Sequence, residues 1–160
     1  MSGYNKEQNY NNGKQKKGRE QKKFNSQSLP PNYLVGGYYH DTEKKKLKKE
    51  YIIEYPKQIA EALDKEGGRE KNKRSQIRKF YDYLLRVEQK MWIDENNFSE
   101  IEADLAGLEP YAFYAKTRRL VTQIFVSFIE ENVAAIQDEK DIRAFVRHFE
   151  AVMAFTTKKD

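Results

Sequence analysis

Cysteine is absent from all 160 residues. That excludes a disulfide framework, a thiolate-held zinc and thiol chemistry. Histidine occurs twice, as His40 and His148, with no partner at the spacing that sets two imidazoles on one helix face for a metal. Glycine numbers 8 and proline 4, and no glycine-rich phosphate loop is present. No apolar run approaches the ~20 residues that span a bilayer. The opening MSGYNKEQNYNNGKQKKGRE has no apolar core of the kind a signal peptide carries. The expectation is a cytoplasmic protein without catalytic residues, metal, cofactor or membrane partner, and so not an enzyme.

Hydrophobic residues reach only 38%, against 34% charged, a low share for a chain that folds throughout. The deficit is local. Residues 1–28 are rich in Asn, Gln, Lys, Gly and Ser and show no hydrophobic period. Such a segment buries too little apolar surface to offset the entropy of ordering it. Residues 1–50 carry 12 Lys/Arg against 5 Asp/Glu, whereas residues 51–160 carry 18 against 20. The basic character therefore belongs to the N-terminal region and suggests a polyanionic partner. A solubilising tail is the plainer reading. Between Pro30-Pro31 and Gly36-Gly37 lie Tyr33, Leu34 and Val35, followed by Tyr38 and Tyr39. This sticky stretch docks either on the folded body or on a partner, and the sequence leaves both open.

From about residue 43 the pattern turns helical. Ile52, Tyr55, Ile59 and Leu63 recur at spacings of three and four, with Pro56 inside the pattern and Gly67-Gly68 closing it. Ser75 reads as an N-cap for a second helix with Ile77, Phe80, Tyr81, Leu84, Leu85, Val87 and Met91-Trp92 on its apolar face. Ser99 to Glu102 is a capping box for a short third helix bearing Ile101, Leu105 and Leu108. Pro110 suits the first turn of a long fourth helix, apolar from Tyr111 to Ile136. Asp138 or Asp141 opens a last helix with Ile142, Phe145, Phe149 and Val152 as its stripe. No segment alternates with period two. The expected fold is all-α: a compact bundle of about five helices over residues 43–160, preceded by a disordered basic tail over residues 1–42.

Two basic stretches fall inside the folded region. Lys71, Lys73, Arg74, Arg78 and Lys79 straddle a helix N-terminus, with Ser75 and Gln76 as neutral donors. Unpaired N–H groups and the positive end of the dipole make that a natural place for phosphate. Lys116, Arg118 and Arg119 form the second stretch, where cations at a helix start oppose the dipole unless an anion compensates. Arg143 and Arg147 are a weaker third pair, with Asp141 and Glu150 available as ion-pair partners. Asp94, Glu95, Glu100, Glu102, Asp104 and Glu109 read as the polar face and first turn of the third helix, not as a metal or acid–base site. The cations describe contact with nucleic-acid backbone, salt-sensitive and blind to sequence. A structural adaptor meeting acidic protein faces is an alternative. So is a helix-turn-helix regulator, although Ile77, Phe80 and Tyr81 fill the turn that would read bases.

Three runs resemble one known family, the small subunit of type III-A CRISPR effector complexes, the Csm complexes. Ser75-Gln76-Ile77-Arg78-Lys79-Phe80-Tyr81 is similar to its S-Q-I-R-K-F-Y signature. Leu108-Glu109-Pro110 through Tyr114-Ala115 to Arg118 is similar to L-x-P-x-x-x-Y-A-x-x-R, and Phe145 to Phe155 to F-V-x-x-F-E-A-x-x-A-[YF]. Thr117 stands where many members have glycine. The resemblance implies a small helical bundle present in more than one copy per complex, stacking head to tail as an inner filament. It implies backbone and large subunits as partners, together with the CRISPR RNA and its target RNA. Cleavage and nucleotide chemistry would belong to those other subunits. The family's RNA-contacting charge would fall on Lys73, Arg74, Arg78, Lys79 and Arg118. Tyr111, Phe113 and Trp92 would be candidate interface anchors, with the core the plainer place for Trp92.

Overall fold

The computed structural model describes residues 28–94 and 98–157. Among these the chain forms six α-helices: α1 (Glu54–Gly67), α2 (Arg74–Ile93), α3 (Phe98–Ala106), α4 (Leu108–Thr117), α5 (Gln123–Ala135) and α6 (Glu139–Phe155). A 3-10 turn at Lys49–Tyr51 precedes them. No strand forms among the described residues; Tyr39 and Leu47 make an isolated antiparallel bridge. The fold is an all-α bundle, as the periodicity predicts.

Local chemistry explains several helix ends. Pro56 lies in the first turn of α1, where its missing N–H costs nothing. Gly68 stops α1 at φ 57° and ψ −138°, a conformation open essentially to glycine. Asp138 caps α6, its carboxylate accepting the Asp141 N–H at 3.1 Å.

Three expectations need correction. Residues 43–48 are not helical. Lys44 has φ 54°, and the Asp41 carboxylate draws the N–H groups of Lys45 and Lys46 at 2.9–3.2 Å, so they form a turn. Ser75 is not the cap of α2; Lys73 holds that position in extended backbone, and no side chain caps the helix. The long fourth helix is two helices. Arg119 adopts φ 60°, its N–H bonds the Lys116 carbonyl at 2.8 Å, and the Leu120 N–H bonds the Ala115 carbonyl at 3.0 Å. That is a Schellman termination, which closes α4 before α5 begins.

α6 is the central element and packs against α1 and α2, while α5 packs against α4 and α1. Phe125, Phe128, Phe145 and Phe149 meet at the core with ring centroids 5.2–6.3 Å apart, mostly edge-to-face. Each such side chain contributes roughly 2–3 kcal/mol on burial.

The aromatic stretch ahead of α1 docks on the body. Tyr33 and Tyr38 are buried, so the packed body takes in residues ahead of position 43. A hydrogen-bond relay fixes them. Tyr38 donates to Asn132 Oδ1 at 2.8 Å, and Asn132 Nδ2 donates to the Tyr33 hydroxyl at 2.8 Å. Tyr33 in turn donates to His148 Nε2 at 2.5 Å. His148 Nδ1 lies 2.6 Å from the Tyr51 carbonyl, an acceptor only, so Nδ1 carries the proton. Lys44 adds a clasp at the α5–α6 turn, 2.6 Å from Asp138 and 2.7 Å from Asp141. His148 is thus a satisfied core histidine. Burial pushes its pKa down to about 4.

Candidate nucleic-acid interface

The two basic stretches meet, and the residue that joins them is a buried asparagine. Asn72 lies between α1 and α2 at φ 54°, a left-handed conformation asparagine tolerates better than most residues. Its backbone N–H bonds the Leu120 carbonyl at 3.0 Å. Its side chain donates to the Leu63 carbonyl at 3.0 Å and to Thr122 Oγ1 at 2.8 Å, and accepts the Thr122 N–H at 2.9 Å. The α1–α2 connection is thereby stapled to the break between α4 and α5.

An open groove of about 570 Å³ results, lined by Glu70, Lys71, Lys73, Gln76, Arg119 and Leu120. Of the residues expected to bind RNA, it brings together Lys71, Lys73, Gln76 and Arg119. Glu70 is the single acid on its wall. The groove abuts the start of α2, whose first turn holds no acidic residue. The remaining candidates do not line it. Arg74, Ser75, Arg78 and Lys79 are exposed on the first turns of α2. Arg78 Nε faces Asp82 at 3.8 Å, one turn on, a distance that leaves its charge largely available. Lys116 donates to Gln123 Oε1. The Arg118 guanidinium lies 5.7 Å from the centroid of the Tyr114 ring.

Arg143 makes neither expected ion pair. Asp141 is taken by Lys44, and the Arg143 guanidinium lies 3.9 Å above the Trp92 ring. Trp92 itself is not a core residue: it is 57% exposed in the last turn of α2. Asp104 pairs with Lys90 at 2.9 Å. Among the described residues no three His, Asp or Glu side chains gather where they would hold a metal ion, and no helix is long and apolar enough to cross a membrane. Glu95 lies outside the described residues.

Sequence reasoning passed over Asn72, Glu70, Leu120 and Thr122. The one usable signal was an amide side chain in the middle of a basic run just ahead of a helix. Periodicity carries no information about such a residue.

The fold and the groove define a small helical protein with a cluster of cations at one junction of two chain segments. Residues 46–158 match the family model described as Csm2 Type III-A, which spans more than half of the chain. The chain belongs to that family and is a small subunit of the type III-A CRISPR effector, the Csm complex. All three motif resemblances fall within the matched span. No curated protein and no solved structure matches the chain.

Proposed function

We propose that this subunit supports the duplex of CRISPR RNA and target RNA through sequence-independent contacts with its backbone, with successive copies stacking head to tail beside the backbone subunits. The observation that carries this reading is the Asn72 staple, which sets Lys71, Lys73 and Gln76 opposite Arg119 around one groove at an uncapped helix start. Cations in such an arrangement suit phosphate and carry no base code. Pairing between guide and target supplies the specificity, as in RNA-guided effectors generally. Stacking of copies draws support from the exposed apolar side chains Trp92, Ile93 and Phe113.

Binding of unstructured and guide-paired RNA, measured across a salt series, tests the reading. The double variant Lys73→Glu/Arg119→Glu is expected to bind roughly 100-fold more weakly at low salt. The slope of log K against log salt should flatten by about 1.5, as two phosphate contacts are lost. Binding that survives in the double variant and vanishes when residues 1–27 are removed would take RNA off the folded body and favour a structural adaptor.

A subtler variant separates charge from architecture. Arg119 occupies the left-handed position of a Schellman motif, where glycine is preferred. Arg119→Gly is therefore expected to raise stability by about 0.5–1 kcal/mol while weakening RNA binding severalfold. Urea denaturation and the same titration report the two effects independently.

A further inference from the structure

The face of α4 beside the groove carries more than charge. Tyr111, Tyr114 and Arg118 follow at spacings of three and four and share one stripe of the helix. Tyr114 is 58% exposed and Tyr111 is 37% exposed. The Tyr111 ring is held from one side. Phe80 stacks under Tyr111 with centroids 4.3 Å apart and planes 24° from parallel, and Phe125 supports Phe80 edge-on at 4.9 Å. The Arg118 guanidinium lies over Tyr114. The stripe neighbours the groove along the chain: Phe80, which Tyr111 covers, is one turn of α2 beyond Gln76, and Arg118 directly precedes Arg119, and Gln76 and Arg119 both line the groove.

An aromatic ring braced on its inner face and open on its outer face is a platform for a flat π-system. The nearby cations, Lys116, Arg118 and Arg119, select a polyanion as the carrier of that π-system. We infer that Tyr111 and Tyr114 stack unpaired bases of the RNA strand whose phosphates occupy the groove, so that the subunit engages single-stranded nucleotides as well as duplex backbone. This rests on the RNA-binding reading of the groove. A base locked in a Watson–Crick duplex presents no free face, so the ligand is an unpaired nucleotide. Stacking of this kind is tolerant of sequence, because every base has a π-face.

The test is the affinity of the full chain for a uridine oligonucleotide and for an abasic ribose-phosphate oligomer of equal length. Wild type is expected to bind the uridine strand roughly tenfold more tightly than the abasic one, and Tyr114→Ala to lose most of that difference. Tyr114→Phe should retain it. Tyr114 is exposed, so its truncation leaves the core untouched; Tyr111→Ala, which uncovers Phe80, would be read only beside a matching denaturation curve. Equal affinity of wild type for both oligomers, or a uridine preference that persists in Tyr114→Ala, would overturn the stacking inference and leave backbone binding standing. No binding of either oligomer would overturn both, and would mark the stripe as a surface for a protein partner.

Discussion

Asn72→Ala is expected to lower the unfolding free energy by about 4 kcal/mol. The side chain is buried and makes three hydrogen bonds that tie α1 to the start of α5. Truncation strands the Thr122 N–H at about 1–3 kcal/mol and removes two further hydrogen bonds, to Thr122 Oγ1 and to the Leu63 carbonyl, at about 0.5–1.5 kcal/mol each. Alanine also tolerates the left-handed backbone poorly, which adds about 1 kcal/mol. The midpoint of thermal unfolding should fall by roughly 10–15 °C. Asn72→Gly keeps the backbone but not the bonds, and should recover only about 1 kcal/mol of the loss. Thermal denaturation of the three proteins checks the ordering. A fall of under 2 °C in Asn72→Ala would show that the staple is dispensable. The same substitution frees the loop bearing Lys71 and Lys73 from the one bearing Arg119, so on the proposed RNA-binding role the affinity for RNA should drop even in the fraction that remains folded.

Acid should unfold this protein through His148. Its imidazole is neutral, buried and doubly hydrogen-bonded, with a folded pKa of about 4 against an ordinary value of 6.5. The unfolded chain therefore binds a proton that the native one refuses. Stability from this group is complete above pH 6.5 and is lost as pH falls from 6.5 towards 4. Linkage sets the loss at about 3 kcal/mol over that window. Asp138, held below the usual carboxylate range by Lys44, adds its own loss only at lower pH. Urea midpoints measured through the window should fall steeply in wild type. In His148→Gln they should start lower, because the relay is broken, and then run nearly flat. Parallel curves for the two proteins would assign the acid sensitivity to the carboxylates instead.

How far the sequence disclosed this structure depends on the range of the interactions involved. The ends of α1 and α6 were legible because Pro56, Gly67-Gly68 and Asp138 act on their immediate neighbours. The apolar faces were legible because spacing alone decides them: Ile59, Leu63, Ile77, Phe80, Leu84, Phe145 and Phe149 are all buried. The break at residues 118–122 was hidden, because the left-handed position is filled by Arg119, where glycine would have announced it. Trp92 was misplaced because a stripe predicts a face, but not how far along the helix the neighbouring element reaches. The groove was half legible. Its charges are visible in the chain, whereas their meeting depends on Asn72 and Leu120, 48 positions apart in sequence. His148 gave no hint of its relay, since its partners Tyr33 and Tyr51 are 115 and 97 residues away.

That relay also sets an order of events during synthesis. Tyr33 and Tyr38 emerge from the ribosome long before Asn132 and His148 exist to receive them. The aromatic segment must therefore wait, solvated, until α5 and α6 have been translated, and it closes over the bundle as a late step. Contacts this distant in sequence are slow to form. The nascent chain thus spends most of its growth without the partners of two core tyrosines, and a messenger truncated before α6 would yield a protein whose Tyr33 lacks His148.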